Sequence, residues 1–297
     1  MRGILLMIGA VTIFTVMTAL IKATSQHVPP GQAVFFRSLL SVPVVMAWLW
    51  SKNELRGGLV THRPWGHIKR SVAGTLAMGL GFAGLAYLPL PEVTAIRFIT
   101  PVMLVILAAL MLGERFALVR TLAVIVGFLG VLVVVWPRLG AGDSSTLGAL
   151  MILASALLAA LAQVFVKKMA GQESTGAIVF YFSMTAALLS LFTVTGWRWP
   201  EGAQWAYLIG AGLIGGVGQI MLTASYRYAD ASTLAPFTYS GMIWALLLGW
   251  FWFEEAASLQ MLLGSGLIIA AGAVIVWREQ RLGRGMAAEG KVGAKGV

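Results

Sequence analysis

The sequence predicts an all-α integral membrane protein with ten transmembrane helices, arranged as two inverted five-helix repeats. Three observations lead to this prediction. The chain of 297 residues is 59% hydrophobic and only 11% charged, whereas a soluble domain has roughly 25% charged residues. Ten stretches are long and apolar enough to cross a bilayer. The first half of the chain also aligns with the second half at a nearly constant offset.

The ten stretches read as helices because they are continuously apolar and do not alternate as barrel strands do. A helix needs about 20 such residues to cross a hydrocarbon core of roughly 30 Å. A signal peptide is the alternative interpretation of the first stretch, but Lys22 interrupts its end and no small-residue cleavage site follows. In chain order, the predicted spans are residues 3–24, 31–50, 71–88, 92–112, 116–136, 147–168, 175–196, 203–225, 231–253 and 258–277.

The distribution of Lys and Arg predicts the orientation of the chain. If the N-terminus is cytoplasmic, sixteen of the 21 basic residues fall on the cytoplasmic side, three fall outside and two fall within spans. Both termini are therefore predicted to be cytoplasmic, in a multi-pass protein of a bacterial-type inner membrane. The net charge of +10 then reflects topology and contact with anionic lipid, and we expect no nucleic-acid partner.

The internal repeat divides the spans into two groups of five. Offsets of 145 and then 141 residues align glycines, charged residues and one aromatic motif. The matched pairs are Gly3 with Gly148, Lys22 with Lys167, Gly31 with Gly176, VFFRS at 34–38 with VFYFS at 179–183, Gly74 with Gly215, and Glu114 with Glu255. Because five is odd, the second copy must be inverted in the membrane, as in many secondary transporters. The predicted units are residues 1–143, residues 144–278 and a basic cytoplasmic tail, 279–297.

These motifs together resemble the EamA-type transporters of the drug/metabolite transporter superfamily. The resemblance covers roughly residues 3–278 and depends on four segments: AVFFRSLLSVP at 33–43, LGER at 112–115, IVGFLGVLVVVWP at 125–137 and LAPFTYSGMIWALLLGWFWFEE at 234–255. It implies a ten-helix inner-membrane carrier with a cavity between two five-helix halves. Members of the family transport amino acids, S-adenosylmethionine, riboflavin or opine-type metallophores.

Two arginines inside predicted spans are the leading candidates for substrate contact, because a charge in the bilayer is costly. Arg37 and Arg97 are both predicted roughly 8–9 Å from the outer face, at 1.5 Å per residue. At one level they could hold a carboxylate or phosphate bidentately. The alternative is that each bonds backbone carbonyls or extends to the interface. The family more often has an apolar residue where Arg97 stands, which favours an anionic substrate group.

Further polar and aromatic side chains are expected to face the cavity, although helix packing is the alternative for each. These additional substrate-binding candidates are Gln163, Tyr181, Gln219, Tyr239 and Trp244. Glu92 and Tyr226 are hypothetical gate residues, and Glu92 could instead stabilise a helix N-terminus. The repeat counterparts Lys22 and Lys167 read as anchors at the membrane interface, and Glu114 and Glu255 as helix-end residues.

Several function classes are excluded or disfavoured by what the sequence lacks. It has no nucleotide-binding G-x-x-x-x-G-K-[ST] motif, no cysteine and no His/Asp/Glu spacing typical of a metal site, so we expect no cofactor. A membrane enzyme or a channel is the alternative from another class. The predicted function is secondary transport of a small polar metabolite that is amino-acid-derived, such as an amino acid, S-adenosylmethionine or an opine-type metallophore. Uptake of riboflavin or another vitamin is the second candidate. A monomer or weak homodimer is expected.

Overall fold

The computed structural model describes residues 1–112, 118–138, 143–229, 234, 237–271, 273–274 and 277. Over this part of the chain the regular structure is helical throughout, without strands. Five helices are long and apolar enough to cross a membrane: Arg2–Thr24, Pro30–Ser51, Ser144–Met169, Thr175–Gly196 and Ala203–Tyr228. Shorter apolar helices include Ile125–Val135, Gly241–Phe253 and Leu259–Ala271. The predicted all-α multi-pass class is confirmed.

The helices follow the predicted spans in chain order. They are α1 (Arg2–Thr24), α2 (Pro30–Ser51), α3 (Pro64–Gly84), α4 (Leu90–Arg97), α5 (Ile99–Leu112), α6 (Leu118–Val135), α7 (Asp143–Met169), α8 (Thr175–Ser190), α9 (Ala203–Tyr228), α10 (Gly241–Phe253) and α11 (Leu259–Ala271). Short 3₁₀ segments cover Gly57–Leu59, Trp136–Arg138 and Leu191–Gly196.

Local chemistry explains several helix ends. Proline begins α2 and α3, where its missing N–H would have no partner within the helix in any case. The Ser174 hydroxyl accepts a hydrogen bond from the Ala177 N–H at 2.9 Å and caps α8. Helix α10 ends at Glu254, whose φ of 56° lies in the left-handed region.

Three spans differ from the prediction. The ninth, predicted to begin at residue 231, has a turn at residues 239–240, and α10 begins at Gly241. Helix α3 begins at Pro64 and not near residue 71, so that Arg70 belongs to the helix and not to a connecting loop. The fourth span consists of α4 and α5, which are separated at Phe98. Pro101 explains this break, because it supplies no N–H to the carbonyl of Arg97 and its ring crowds that carbonyl. Pro43, by contrast, lies within a continuous α2.

The helices of the first half pack mainly against those of the second half. Helix α1 packs on α9 and α10, α2 packs on α8 and α9, and α3 packs on α7 and α8. Helices α4 and α5 contact α7, and α4 contacts α10. These crossings surround the centre of the described structure, where the largest group of buried apolar side chains lies.

The α2–α9 crossing depends on glycine. A Cβ added at Gly212 would lie 2.5 Å from the Cβ of Leu40 and 2.8 Å from the Phe36 carbonyl oxygen. One turn later, a Cβ at Gly216 would lie 3.0 Å from the Cβ of Val44. Small residues four positions apart on α9 therefore permit the close approach of α2. The expected helix-end role of Glu114 falls outside the described residues.

Candidate substrate-binding cavity

A cavity of about 300 Å³ lies where the helices of the two halves meet. Its polar lining includes three arginines, two glutamines and a tyrosine, and its apolar lining includes several phenylalanines and methionines. These polar residues are Arg37, Arg70, Arg97, Gln163, Gln219 and Tyr226. No carboxylate side chain is among the described residues that line it.

Arg37 extends from α2 toward α9, and only 2% of its surface is exposed. Its Nη2 donates a hydrogen bond to Oε1 of Gln219 at 3.1 Å. Its Cζ lies 5.4 Å from the centre of the Phe182 ring. Nε and Nη1 have no hydrogen-bond partner within the described structure. The Gln219 amide and the Phe182 ring therefore hold the guanidinium, and its Nε and Nη1 donors stay available within the described structure.

Arg70 is a cavity residue that sequence reasoning missed, because its charge was assigned to the cytoplasmic connection. The structure places it in the second turn of α3 with 4% of its surface exposed. Its Cζ lies 3.4 Å from the centre of the Phe182 ring. Its Nε and Nη1 also lack partners among the described residues. Pro64, a typical first residue of a helix, was the sequence signal that could have placed Arg70 inside a span.

Arg97 lies at the junction of α4 and α5 and is half-buried. Its Nη1 is 3.9 Å from the position that a Cβ would take at Gly81, an ordinary contact distance that places the guanidinium beside this turn of α3. Phe98, Thr100 and Pro101 line the cavity beside it. The helix break therefore forms part of the cavity wall.

Arg37 and Arg97 line the same cavity, and their joint hold on one anion stays a prediction. Arg37 shares the Phe182 ring with Arg70, whereas Arg97 lies beside Gly81. The Nη1 of Arg70 lies 2.8 Å from a Cβ position at Gly74, seven residues before Gly81. The helical rise separates these two glycines by roughly 10 Å. Sequence spacing placed the Cα atoms of Arg37 and Arg97 at similar depth but did not reveal which way the long side chains extend.

Gln163 and Tyr226 meet in the cavity wall formed by α7 and α9. The Tyr226 hydroxyl donates a hydrogen bond to Oε1 of Gln163 at 2.8 Å. Tyr226 also packs against buried apolar residues near the ends of α7 and the start of α8, namely Val166, Met169 and Ile178. Gln163, Gln219 and Tyr226 thus all line the cavity, and their roles in substrate binding and gating stay predictions.

The other predicted site residues lie elsewhere. Tyr181 donates a hydrogen bond to the Leu59 carbonyl at 3.1 Å and packs against His67, away from the cavity. Trp244 has 39% of its surface exposed and does not line the cavity. Tyr239 is buried behind the wall, where its ring meets the edge of Phe98 at 5.1 Å. Glu92 occupies the first turn of α4 and does not line the cavity either.

Lys22 and Glu255 join the two halves beside the loop between α3 and α4. This is the end of α3 opposite the basic 51–70 connection. The Lys22 Nζ lies 2.9 Å from Glu255 Oε1 and donates to the Leu88 carbonyl at 2.8 Å. The Leu90 N–H, at the start of α4, donates to Glu255 Oε2 at 2.7 Å. Lys22 is therefore an ion-pair partner and not an interface anchor, and Glu255 stabilises the N-terminus of α4 rather than that of its own following helix.

Glu173 joins the halves at the basic connection. The carboxylate is 2% exposed and accepts hydrogen bonds from the His62 N–H at 2.8 Å and the Thr61 hydroxyl at 3.2 Å. His67 Nε2 lies 3.4 Å from its second oxygen. Burial opposes ionisation, but these donors together hold the pKa of Glu173 below its ordinary value. The neighbouring Ser174 hydroxyl donates to the Gly58 carbonyl.

Comparison with known proteins identifies the family. The EamA-like transporter family matches residues 1–136 and 146–277, which is nearly the whole of the chain. The chain belongs to the EamA-like transporter family. It is a membrane-embedded, multi-pass transporter, as the resemblance of its motifs implied.

Named relatives within the EamA-like family are transporters. A pseudopaline exporter of Pseudomonas aeruginosa is 28% identical over 277 residues, which cover 91% of this chain and 94% of that protein. A riboflavin transporter of Rhizobium johnstonii is 30% identical, with 85% and 83% covered. An S-adenosylmethionine uptake transporter of Rickettsia felis is 27% identical, with 84% of each chain covered.

The fold also matches a known crystal structure. That chain is 21% identical, with a TM-score of 0.70, and the match covers 93% of this chain and 97% of the other. At this level of identity the likeness concerns the fold alone. The EamA-like transporter therefore has a helical architecture that an experimental structure shares.

Proposed function

We propose that this protein is a secondary transporter that moves a small polar organic metabolite across the bacterial inner membrane by alternating access. The observation that supports this most directly is the buried cavity between the halves, with unused guanidinium donors on Arg37 and Arg70. Buried polar groups without partners are costly. A polar ligand in the cavity would supply the missing acceptors.

The packing supports two inverted repeats, residues 1–143 and 144–278. The contact of α1 with α9 has a counterpart in the contact of α7 with α3, since α7 and α3 occupy the corresponding places of the other half. The contact of α2 with α9 likewise corresponds to that of α8 with α3. Inverted repeats of this kind allow one half to rock against the other around a central site.

Glycine counterparts agree with the same symmetry. A Cβ at Gly31 would lie 2.1 Å from Oγ1 of Thr193, beyond the end of α8, and a Cβ at Gly176 would lie 2.6 Å from Cδ2 of Leu49, near the end of α2. Each glycine thus contacts the far end of the counterpart helix. We further propose that both termini are cytoplasmic, with Lys22 on the outer side and Glu173 on the inner side, because most basic residues then face the cytoplasm.

In this mechanism the two sides of the cavity open in turn. Opening outward breaks the Lys22–Glu255 ion pair, and opening inward breaks the hydrogen bonds of Glu173 to the 51–70 connection. Tyr226 and Gln163 lie at the cytoplasmic side of the cavity, where Tyr226 is proposed as an inner gate residue. No acidic side chain is among the described cavity-lining residues, so coupling through the charge of the substrate or facilitated exchange fits better than a carboxylate proton relay.

The substrate proposed is amino-acid-derived, such as an amino acid or an opine-type metallophore, because arginines hold carboxylates well. The pseudopaline exporter is a relative whose named substrate suits this range. Uptake of riboflavin or another vitamin is the second candidate, supported by the relative at 30% identity and by phenylalanines in the cavity wall. The cavity lies within one chain, in keeping with a monomer or weak homodimer.

Counterflow in proteoliposomes tests the transport proposal. Vesicles loaded with one unlabelled metabolite are diluted into the same radiolabelled compound, for a panel of amino acids, opine-type metallophores and riboflavin. Saturable counterflow that persists without a membrane potential is expected for one class of compound. Arg37→Gln should abolish it, whereas Arg198→Gln, an exposed residue outside the cavity, should not. Flux that does not saturate would indicate a channel.

A further inference from the structure

We infer that the substrate carries at least two anionic groups, carboxylate or phosphate, placed at opposite ends of a carbon skeleton. This inference depends on the proposed transport function and names the chemical class of its substrate. It rests on three features of the described structure: the number of cations in the cavity, their separation along α3, and the way in which two of them are held.

The first feature is the unbalanced charge. Three guanidiniums, from Arg37, Arg70 and Arg97, line one cavity of about 300 Å³, and the described lining contains no carboxylate. Where ion pairs occur in the described residues, they lie outside the cavity, at Lys22 with Glu255 and at His67 with Glu173. Buried charges in membrane proteins are normally paired. A neutral or cationic ligand would leave three cations unbalanced, whereas a dianion or trianion balances most of the charge.

The second feature is the placement of the cations at two levels. Arg70 lies beside Gly74 and Arg97 lies beside Gly81, on one face of α3 because seven residues make almost two full turns. The two glycines are roughly 10 Å apart. An anion beside Gly74 and an anion beside Gly81 would occupy positions separated by about two turns of α3. An elongated molecule with an anion at each end could occupy both.

The third feature is the rigid setting of Arg37 and Arg70, which share the Phe182 ring and form the inner group. Arg97 forms the outer group. The Phe182 ring faces the guanidiniums of both Arg37 and Arg70, at 5.4 Å and 3.4 Å. Gln219 accepts a hydrogen bond from Arg37 and fixes its plane. The unused Nε and Nη1 of both side chains are buried. The unused N–H groups of two adjacent guanidiniums outnumber the hydrogen bonds that one carboxylate oxygen accepts. The inner group can therefore bind both oxygens of a carboxylate, or a phosphate.

The outer group lies at the junction of α4 and α5, where Arg97 ends α4. Thr100 and Pro101, in the first turn of α5, line the cavity beside it. The Thr100 hydroxyl can donate a hydrogen bond to an anion that Arg97 holds. Arg97 and Thr100 therefore form the second anion-binding end.

The test measures binding separately from transport, with matched probes. Isothermal titration of the purified full-length chain in detergent compares adipate, its monoamide adipamate, the neutral adipamide, 3-phosphoglycerate and inorganic phosphate. We expect adipate or 3-phosphoglycerate to bind at least tenfold more tightly than adipamate, and adipamide not to bind. The better of the two dianions identifies whether carboxylate or phosphate is preferred.

Variants assign each end of the probe. Arg70→Gln and Arg97→Gln should each weaken dianion binding at least tenfold, and Arg97→Gln should abolish the preference of dianion over monoanion. Arg70→Lys keeps the charge and should bind dianions more tightly than Arg70→Gln. The exposed Arg198→Gln is the control and should bind as the wild type does, and thermal unfolding of each variant verifies that it is folded. The inference is overturned if adipamide binds as tightly as the dianions, or if inorganic phosphate binds as tightly as adipate without dependence on Arg97. It is also overturned if no dianion binds while a neutral or cationic metabolite does.

The same preparations distinguish the two proposals. Saturable counterflow of a neutral or cationic compound, without dianion binding, overturns the dianion inference and leaves the transport proposal standing. Arginine-dependent dianion binding without counterflow of any bound probe contradicts the transport proposal and leaves the binding site standing.

Discussion

The guanidinium of Arg37 lies 5.4 Å from the ring of Phe182, the residue that occupies the place of Arg37 in the second repeat. Residues on a two-fold axis contact their own counterparts, so this contact is the one expected near a pseudo-two-fold axis. The counterparts differ in chemistry, since one is a cation and the other an aromatic ring. The proposed repeat symmetry would therefore bring the cation and its aromatic partner together. The three arginines among the described cavity-lining residues all belong to the first half.

Replacing Phe182 should destabilise the protein, because its ring contacts two buried guanidiniums. Phe182→Leu retains the apolar volume but loses the aromatic face, and we expect a loss of about 1–3 kcal/mol, seen as a lower apparent melting temperature. Phe192→Leu is the matched control, because Phe192 is 86% exposed. Equal melting temperatures for the two variants would show that the ring contacts contribute little.

Breaking the Lys22–Glu255 ion pair should favour the state open on the Lys22 side. The chain has no cysteine, so a single cysteine introduced at Thr94, which lines the cavity near α4, can be labelled specifically. We expect Glu255→Gln to increase the rate at which an impermeant maleimide labels Thr94→Cys several-fold. This corresponds to a shift of about 1 kcal/mol in the equilibrium toward the state open on the Lys22 side. Glu201→Gln, an exposed carboxylate, is the control. Unchanged labelling in both backgrounds would mean that the ion pair does not hold that side closed.

The contribution of Glu173 to stability should depend on pH. Its lowered pKa in the folded state stabilises the fold above the unfolded-state pKa of about 4.3, and this contribution is lost as the pH falls through the lower folded-state value. Glu173→Gln should therefore cost about 1–3 kcal/mol at pH 7, and its melting temperature should approach that of the wild type below about pH 4. Glu54→Gln, in the same connection but exposed, should have no such effect. A difference in melting temperature between Glu173→Gln and the wild type that stays constant with pH would show that the ionised form of Glu173 does not stabilise the fold.

The α2–α9 crossing should tolerate no side chain at Gly212. A Cβ there would lie 2.5 Å from Leu40 Cβ and 2.8 Å from the Phe36 carbonyl oxygen, so Gly212→Ala must separate the helices and should cost about 1–3 kcal/mol. Gly79→Ala is the control, because a Cβ at Gly79 meets nothing within 4 Å, and it should be neutral or stabilising by up to about 1 kcal/mol. Equal melting temperatures for the two variants would contradict the close packing.

Much of the fold was predictable because it depends on local composition. Apolar stretches of bilayer length predicted the helices. The helix break after Arg97 follows from Pro101, although its position at Phe98 was not predicted. Gln163, Gln219 and Tyr226 could be placed in the cavity because polar side chains within spans must find polar surroundings.

The less predictable features depend on residues distant in sequence. Tyr181 and Trp244 belong to the right helices but face other surroundings, because helix rotation is set by packing and not by sequence position. The partner of Lys22 is 233 positions away in the chain, at Glu255. Arg70 was counted among the basic residues that mark the cytoplasmic side, because a cytoplasmic connection and the first turns of a helix have the same composition.

The sequence by itself determined the membrane class, the spans, the family motifs and the presence of arginines in an apolar chain, since all of these depend on which residues occur and at what spacing. Only the tertiary structure decided which arginines share a cavity, because long side chains reach several ångströms from their own helices and their directions are set by packing. The positive charge that seemed to be a signal of orientation thus includes one residue, Arg70, that contributes to the cavity.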